Sequence, residues 1–255
     1  MFDRLDVRRR LKASGAHLLI SVGVAALAAV LVLQVWYPRE YSTLAGGREL
    51  FWLLVSVDVV VGPLLTFVAF NLRKPRGELV RDLSVIAVLQ LAALGYGLHT
   101  VYLARPVALV FEVDRFRVVA ANDVYLEELP QARPEFGSLS LTGPRVIGAR
   151  TSQGGEERLR AIDLALKGYD IGQRPAYWQP YSESRDAALA RARPVGLLLE
   201  RYAKDADRLR TKLAELHLAP DKARFLPVMA RADGWVALLD ASGELVGFAP
   251  YDGFF

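Results

Sequence analysis

The chain of 255 residues contains no cysteine. That excludes a disulfide framework, a thiolate nucleophile and a cysteine zinc site. Histidine is almost as scarce: there are 3, His17, His99 and His217, far apart in sequence, so a histidine metal centre is not expected. The short patterns that carry common chemistries are also missing. There is no GxSxG, no P-loop, no GxGxxG before a helix and no HExxH. Acids such as Asp114, Asp123, Asp170 and Asp240 are scattered through turn-like segments, and nothing pairs them as a general acid and base. The sequence therefore assigns no catalytic residue, no metal and no cofactor, and the protein is not expected to be an enzyme.

Charge of one sign is short in the second half. The formal net charge is +4. Residues 1–103 carry 11 basic and 7 acidic side chains, whereas residues 104–255 carry 21 of each. A basic surface for nucleic acid finds no support there, so nucleic acid is not expected as a partner. The excess instead flanks apolar segments of membrane length. The hydrophobic fraction of 53% is concentrated in the same region.

Three apolar runs stand out, at about 17–36, 50–70 and 83–103. A helix rising ~1.5 Å per residue needs about 20 apolar residues to cross a ~30 Å hydrocarbon core. Each run meets that length. The first has a rival reading as a cleaved signal peptide, from its basic start and Ala26-Leu27-Ala28, but its apolar run continues past those residues. Basic residues set the orientation. Arg4, Arg8, Arg9, Arg10 and Lys12 lie in the tail, and Arg73, Lys74, Arg76 and Arg81 in the second loop, while Arg39 and Arg48 of the first loop are offset by Glu40 and Glu49. The positive-inside rule puts tail and second loop in the cytoplasm. Trp36, Tyr37, Phe51, Trp52 and Tyr102 then form an aromatic belt at the opposite interface. The expected organisation is a cytoplasmic tail at 1–16, a transmembrane domain at 17–104 and an exported, periplasmic domain at 105–255.

The exported part reads as an α+β domain with an antiparallel sheet covered by helices on one face. Short β-rich runs are expected at 107–113, 116–121 and near 145–149, and three more at 225–230, 235–239 and 245–249. Helices are expected at 156–167 and 182–191. A long one at 195–217 carries an apolar seam of Leu199, Tyr202, Ala206, Leu209, Leu213 and Leu216.

Asp58 is the most informative residue. A carboxylate about 12 Å deep in the membrane costs ~2.5–3.5 kcal/mol or more on insertion scales, so it is kept protonated, paired or in use. Three readings stay open: a hydrogen bond to Gln90, Tyr96 or His99 of the third span, a contact with another membrane helix, or a proton path. Gly62-Pro63 follows directly and marks a bend, because Pro63 cannot donate a helical N–H. Ser21, Ala25 and Ala29 form a small-residue ridge suited to close helix packing. In the exported part Tyr177 and Trp178 lie in a proline-bounded aromatic loop, which either offers an exposed contact or folds onto the core.

The stretches HLLIS at 17–21, VWYP at 35–38, VDVVVGPLLT at 57–66, DLSVIAVLQLAALGYG at 82–97, RP at 105–106 and FEVDRFRVVAAND at 111–123 together resemble the type IV pilin accessory proteins of the TfpX/TfpZ group. The resemblance is close over the first half and diffuse after about residue 125. It implies an inner-membrane, chaperone-like protein that helps a cognate major pilin assemble into pili, with no catalytic residues to carry over. The expected partners are the membrane helix and periplasmic head of that pilin, other pilus assembly machinery, and membrane lipid. Asp58, Gly62, Pro63, Tyr96 and His99 are the candidate contacts in the membrane, and Tyr177 and Trp178 outside it. A rival class is a periplasmic ligand-sensing protein acting through a partner, since a tail of about 15 residues and a loop of about 12 are too short to fold as an output domain. A third reading, a membrane enzyme that modifies pilin, requires a mass change on pilin.

Overall fold

The apolar runs and the alternating β-rich segments separate cleanly in the computed structural model, which describes residues 4–71 and 74–255. Arg73, counted above among the basic residues of the second loop, lies outside the described residues, as do residues 1–3 of the tail. The chain divides into two compact units. One takes the residues up to Arg39 together with Gly47–Leu103, and the other takes Glu40–Gly46 with Ala104–Phe255.

The first unit consists of three helices, Asp6–Trp36, Gly47–Ala69 and Arg76–Leu103, each long and apolar enough to cross a membrane. Apolar residues occur around the whole circumference, so Leu19, Leu27, Leu53, Val68 and Leu91 remain exposed while the small face of the first helix turns inward at Ser21, Ala28 and Val32. Polar groups tie the first helix to the second. Ser14 Oγ donates to the Pro63 carbonyl at 2.8 Å, and His17 Nδ1 lies 2.5 Å from Thr66 Oγ1. Arg10 donates to the carbonyls of Phe67 and Val68 at 3.1 and 2.9 Å. The Tyr37 hydroxyl, fully buried, donates to the Val101 carbonyl at 2.9 Å. The disturbance expected at Gly62-Pro63 takes the form of a π-helical turn immediately upstream, Val57–Val61, with the helical run Gly62–Ala69 restarting at the glycine.

The second unit is built on eight strands: β1 Pro106–Glu112, β2 Arg115–Ala120, β3 Arg145–Ala149, β4 Trp178–Pro180, β5 Arg193–Pro194, β6 Arg224–Met229, β7 Trp235–Leu239 and β8 Leu245–Ala249. They form one sheet in the order β4-β3-β1-β2-β6-β7-β8, with β5 paired to β6. The sheet is mixed, which corrects the antiparallel expectation. The β1–β2 hairpin and the β6–β7–β8 meander are antiparallel, but β3 runs parallel to β1 and β6 parallel to β2. Short turns force a strand to reverse, whereas long connections free it to run either way. Residues 121–144 and 121–223 are such connections.

Helices on one face is corrected too. Leu109 and Phe111 of β1 enter one core with Ala237 and Leu239 of β7, whereas Val110 enters a second core and Val236 and Leu238 a third. Because strand side chains alternate, both faces are covered. That is why β1 reads as an unbroken apolar run. The long helix expected at 195–217 is broken into Gly196–Arg201 and Ala206–Glu215, joined through a 3-10 turn at Ala203–Asp205. Tyr202 sits at the break, its ring 5.0 Å from that of Tyr251 and its hydroxyl donating to the Asp252 carbonyl. The apolar seam still packs on the unit's own sheet: Leu209 and Leu213 are fully buried there.

The loop joining the first two long helices is part of this second unit. Its single turn, Tyr41–Leu44, places Leu44 in the core with Leu109, Phe116 and Leu226. Tyr41 meets Phe248 edge-on at 5.4 Å, and Ala232 N–H donates to the Leu44 carbonyl at 3.0 Å.

Candidate partner-binding groove

The three long helices leave two apolar grooves between them. One, of about 190 Å³, is lined by His17, Ser21 and Ala25 of the first helix, Asp58 of the second, and Gln90 and Leu94 of the third. The other, of about 220 Å³, lies between the second and third helices and is lined by Leu54, Val57, Asp58, Tyr96, Gly97 and neighbouring apolar residues. Asp58 belongs to both.

The local sequence explains how Asp58 comes to face this junction. The π turn Val57–Val61 inserts extra length ahead of Pro63, which turns the carboxylate between its neighbours. Gln90 Nε2 donates to the Asp58 main-chain carbonyl at 3.3 Å. Gly62 allows that approach, since a Cβ there would collide with the Gln90 amide. The amide thus serves backbone loosened by the π turn. The Asp58 carboxylate keeps one oxygen, Oδ1, buried with no hydrogen-bond partner. A buried acceptor without a donor is costly in an apolar setting.

The candidate membrane contacts separate in the structure. Asp58 and Tyr96 line the same groove, and Tyr96 is 76% exposed. Gly62 and Pro63 are buried behind them and shape the backbone. His99 is exposed and lines neither groove. Sequence reasoning gave His17 no role at this site, although a polar residue four before Ser21 on the same helical face was the available signal.

Tyr177 and Trp178 are 1% and 4% exposed, so the aromatic loop is folded into the core of the second unit. Trp178 Nε1 donates to the Gly172 carbonyl at 2.8 Å. The Tyr177 ring is sandwiched between the guanidinium groups of Arg150 and Arg174, at 4.5 and 4.4 Å. Arg174 in turn forms a buried two-pronged pair with Glu128, at 2.5 and 3.0 Å. Nearby, burial pushes the Glu112 carboxyl up, opposed by Arg117 at 2.6 Å and by the Gly172 N–H at 2.9 Å. These contacts hold the loop in place, although Arg174 Nη1 and the Tyr177 hydroxyl are themselves buried without a hydrogen-bond partner. Among the described residues no group of three or more His, Cys, Asp or Glu side chains is placed to hold a metal.

Comparison with known proteins shows the family of the chain. Residues 5–46 match the family described as fimbrial assembly protein FimB. The chain is 40% identical over 245 residues, 95% of each chain, to the serogroup I fimbrial assembly protein of Dichelobacter nodosus. It is 38% identical over the same coverage to the serogroup E1 protein of that organism, and 49% identical over 121 residues to the protein of serogroups C1 and C2, covering 92% of that shorter chain. The chain therefore belongs to the fimbrial assembly protein family, in agreement with its resemblance to type IV pilin accessory proteins. No solved structure matches it.

Proposed function

We propose that this protein is an inner-membrane accessory, chaperone-like in action, that assists a cognate type IV pilin into pili. Its relatives are named for fimbrial assembly and not for a catalysed reaction, which supports a role in building pili. In this reading the three long helices cross the membrane with the N-terminus in the cytoplasm, and the β-sheet unit is periplasmic. The distribution of basic residues supports that orientation. The membrane helix of the pilin lies in the groove at Asp58, against Tyr96, on backbone shaped by Gly62 and Pro63, with His99 at the edge of the contact. The pilin head meets the outer surface of the β-sheet unit, which Tyr177 and Trp178 support from beneath.

The observation that carries this reading is the unpartnered Asp58 Oδ1 at the junction of two apolar grooves. A hydrogen-bond donor on an incoming helix satisfies it in a low-dielectric setting where such a contact discriminates between helices. Deleting the gene is expected to lower surface pili while pilin synthesis continues. Normal piliation in the deletion strain contradicts the proposal, and a changed pilin mass in that strain favours a modifying enzyme instead.

A further inference from the structure

The helix Gly155–Leu166 buries only Ala161 and Leu164 along its inner face. On the opposite face Leu159, Ile162 and Leu166 are 70%, 53% and 84% exposed. They fall at i, i+3 and i+7, so they form one continuous stripe along the helix. Single exposed apolar residues need no explanation, but three in register on one helix do.

The charges beside the stripe identify what covers it. One flank reads Glu156, Arg160, Asp163, Lys167 along the axis, alternating acid, base, acid, base. Reversing the helix direction inverts that order, so the pattern is complementary to itself when two copies run antiparallel. On the other flank Arg158 faces Ala165 in such a pairing, so no like charges meet. An anionic membrane surface fits poorly, because acids border the apolar stripe where a membrane-lying helix carries bases.

We propose that a second copy of this chain packs here, its Gly155–Leu166 helix antiparallel to the first and the two-fold axis passing near Ile162. Leu159 lies over the partner's Leu166 and the reverse, as an isologous contact requires. Arg160 reaches the partner's Asp163, and Glu156 the partner's Lys167. The existing ion pairs on this face are loosely held: Lys167–Asp163 has both side chains more than 60% exposed, and the exposed Arg160 stands 3.9 Å from the buried Glu128, which is already paired with Arg174. Such pairs are worth little alone and exchange readily for contacts across the interface. Confinement of both copies to one membrane raises their effective concentration, which lets a contact of this size hold.

The absence of cysteine makes a direct test available. Full-length protein carrying Ile162→Cys is oxidised in native membranes and the covalent homodimer measured, with Glu135→Cys, exposed elsewhere on the same unit, as the control. Dimer is expected from position 162 and not from 135. In the Ile162→Cys background, Arg160→Asp is expected to lower the yield about fivefold, since it sets two like-charge pairs across the axis. Arg160→Asp with Asp163→Arg restores it. Failure of position 162 to form dimer overturns the proposal. So does a dimer yield indifferent to the charge swap, or an adduct at 162 to pilin in place of a second copy.

Discussion

Glu128 and Arg174 show what a single buried charge is worth in this fold. Both side chains are 3% exposed or less, and each is the other's counter-ion. Removing one leaves the other charged in a low-dielectric interior, so Glu128→Ala is expected to destabilise the protein by about 3–5 kcal/mol, read as a fall in the denaturation midpoint. Glu157 illustrates a titrating contact nearer the surface. Its carboxyl is held down at about 2, chiefly by the hydrogen bond from Arg150 and then by the Gln153 N–H. A depressed folded pKa gives stability that is complete above the ordinary value of 4.5 and is lost as pH falls towards 2. Glu157→Gln is therefore expected to flatten the loss of stability between about pH 4.5 and 2, and an unchanged acid-unfolding curve contradicts this. At this scale the sequence was partly readable. Asp58 declared itself by standing alone in an apolar run, and depth along the helices brought Tyr96 nearest its level, with His99 above and Gln90 below. Folding onto the core was one of the two readings of the loop with Tyr177 and Trp178, but what fixes it there was not readable, because Glu128, Arg150 and Arg174 converge from distant segments.

The element scale is where local pattern and tertiary structure part. Strand positions were legible from β-rich runs and their turns, and the hairpin of β1 and β2 closes over Val113 and Asp114 as Glu112 pairs with Arg115. Strand direction was not, since the long connections after Ala120 carry no mark of where they return. The turn Tyr41–Leu44 is the clearest case. Four residues between two membrane-length helices have no periodicity to read, yet Leu44 is wholly buried in the core of the sheet unit. Leu44→Ala in the full chain is expected to cost about 2–5 kcal/mol, the range for truncating a core leucine. A fragment beginning at Ala104 lacks this plug and is expected to unfold at lower denaturant than one carrying residues 40–46. Equal midpoints contradict the assignment of the turn to the core.

At the scale of the whole molecule, two units of different character are proposed to meet one client. The helical unit offers a groove with an unmet hydrogen-bond acceptor, and the sheet unit draws its residues from the first interhelical loop, 40–46, and from the chain after the third helix, from Ala104 onward. The orientation proposed for them is open to single-cysteine labelling: a membrane-impermeant reagent applied to the periplasmic side is expected to modify Glu135→Cys and to leave Arg8→Cys unmodified. The central claim is that the pilin helix occupies the groove at Asp58. It is tested most directly by placing a photo-reactive residue at Leu94, which lines both grooves from the third helix, and identifying the adducts formed in living cells. The expected result is an adduct with the pilin membrane helix whose yield falls about tenfold with Asp58→Leu, the loss of one hydrogen bond worth about 1.5 kcal/mol. Pili assembled normally in cells where position 94 forms no pilin adduct, or forms one indifferent to Asp58, would contradict it.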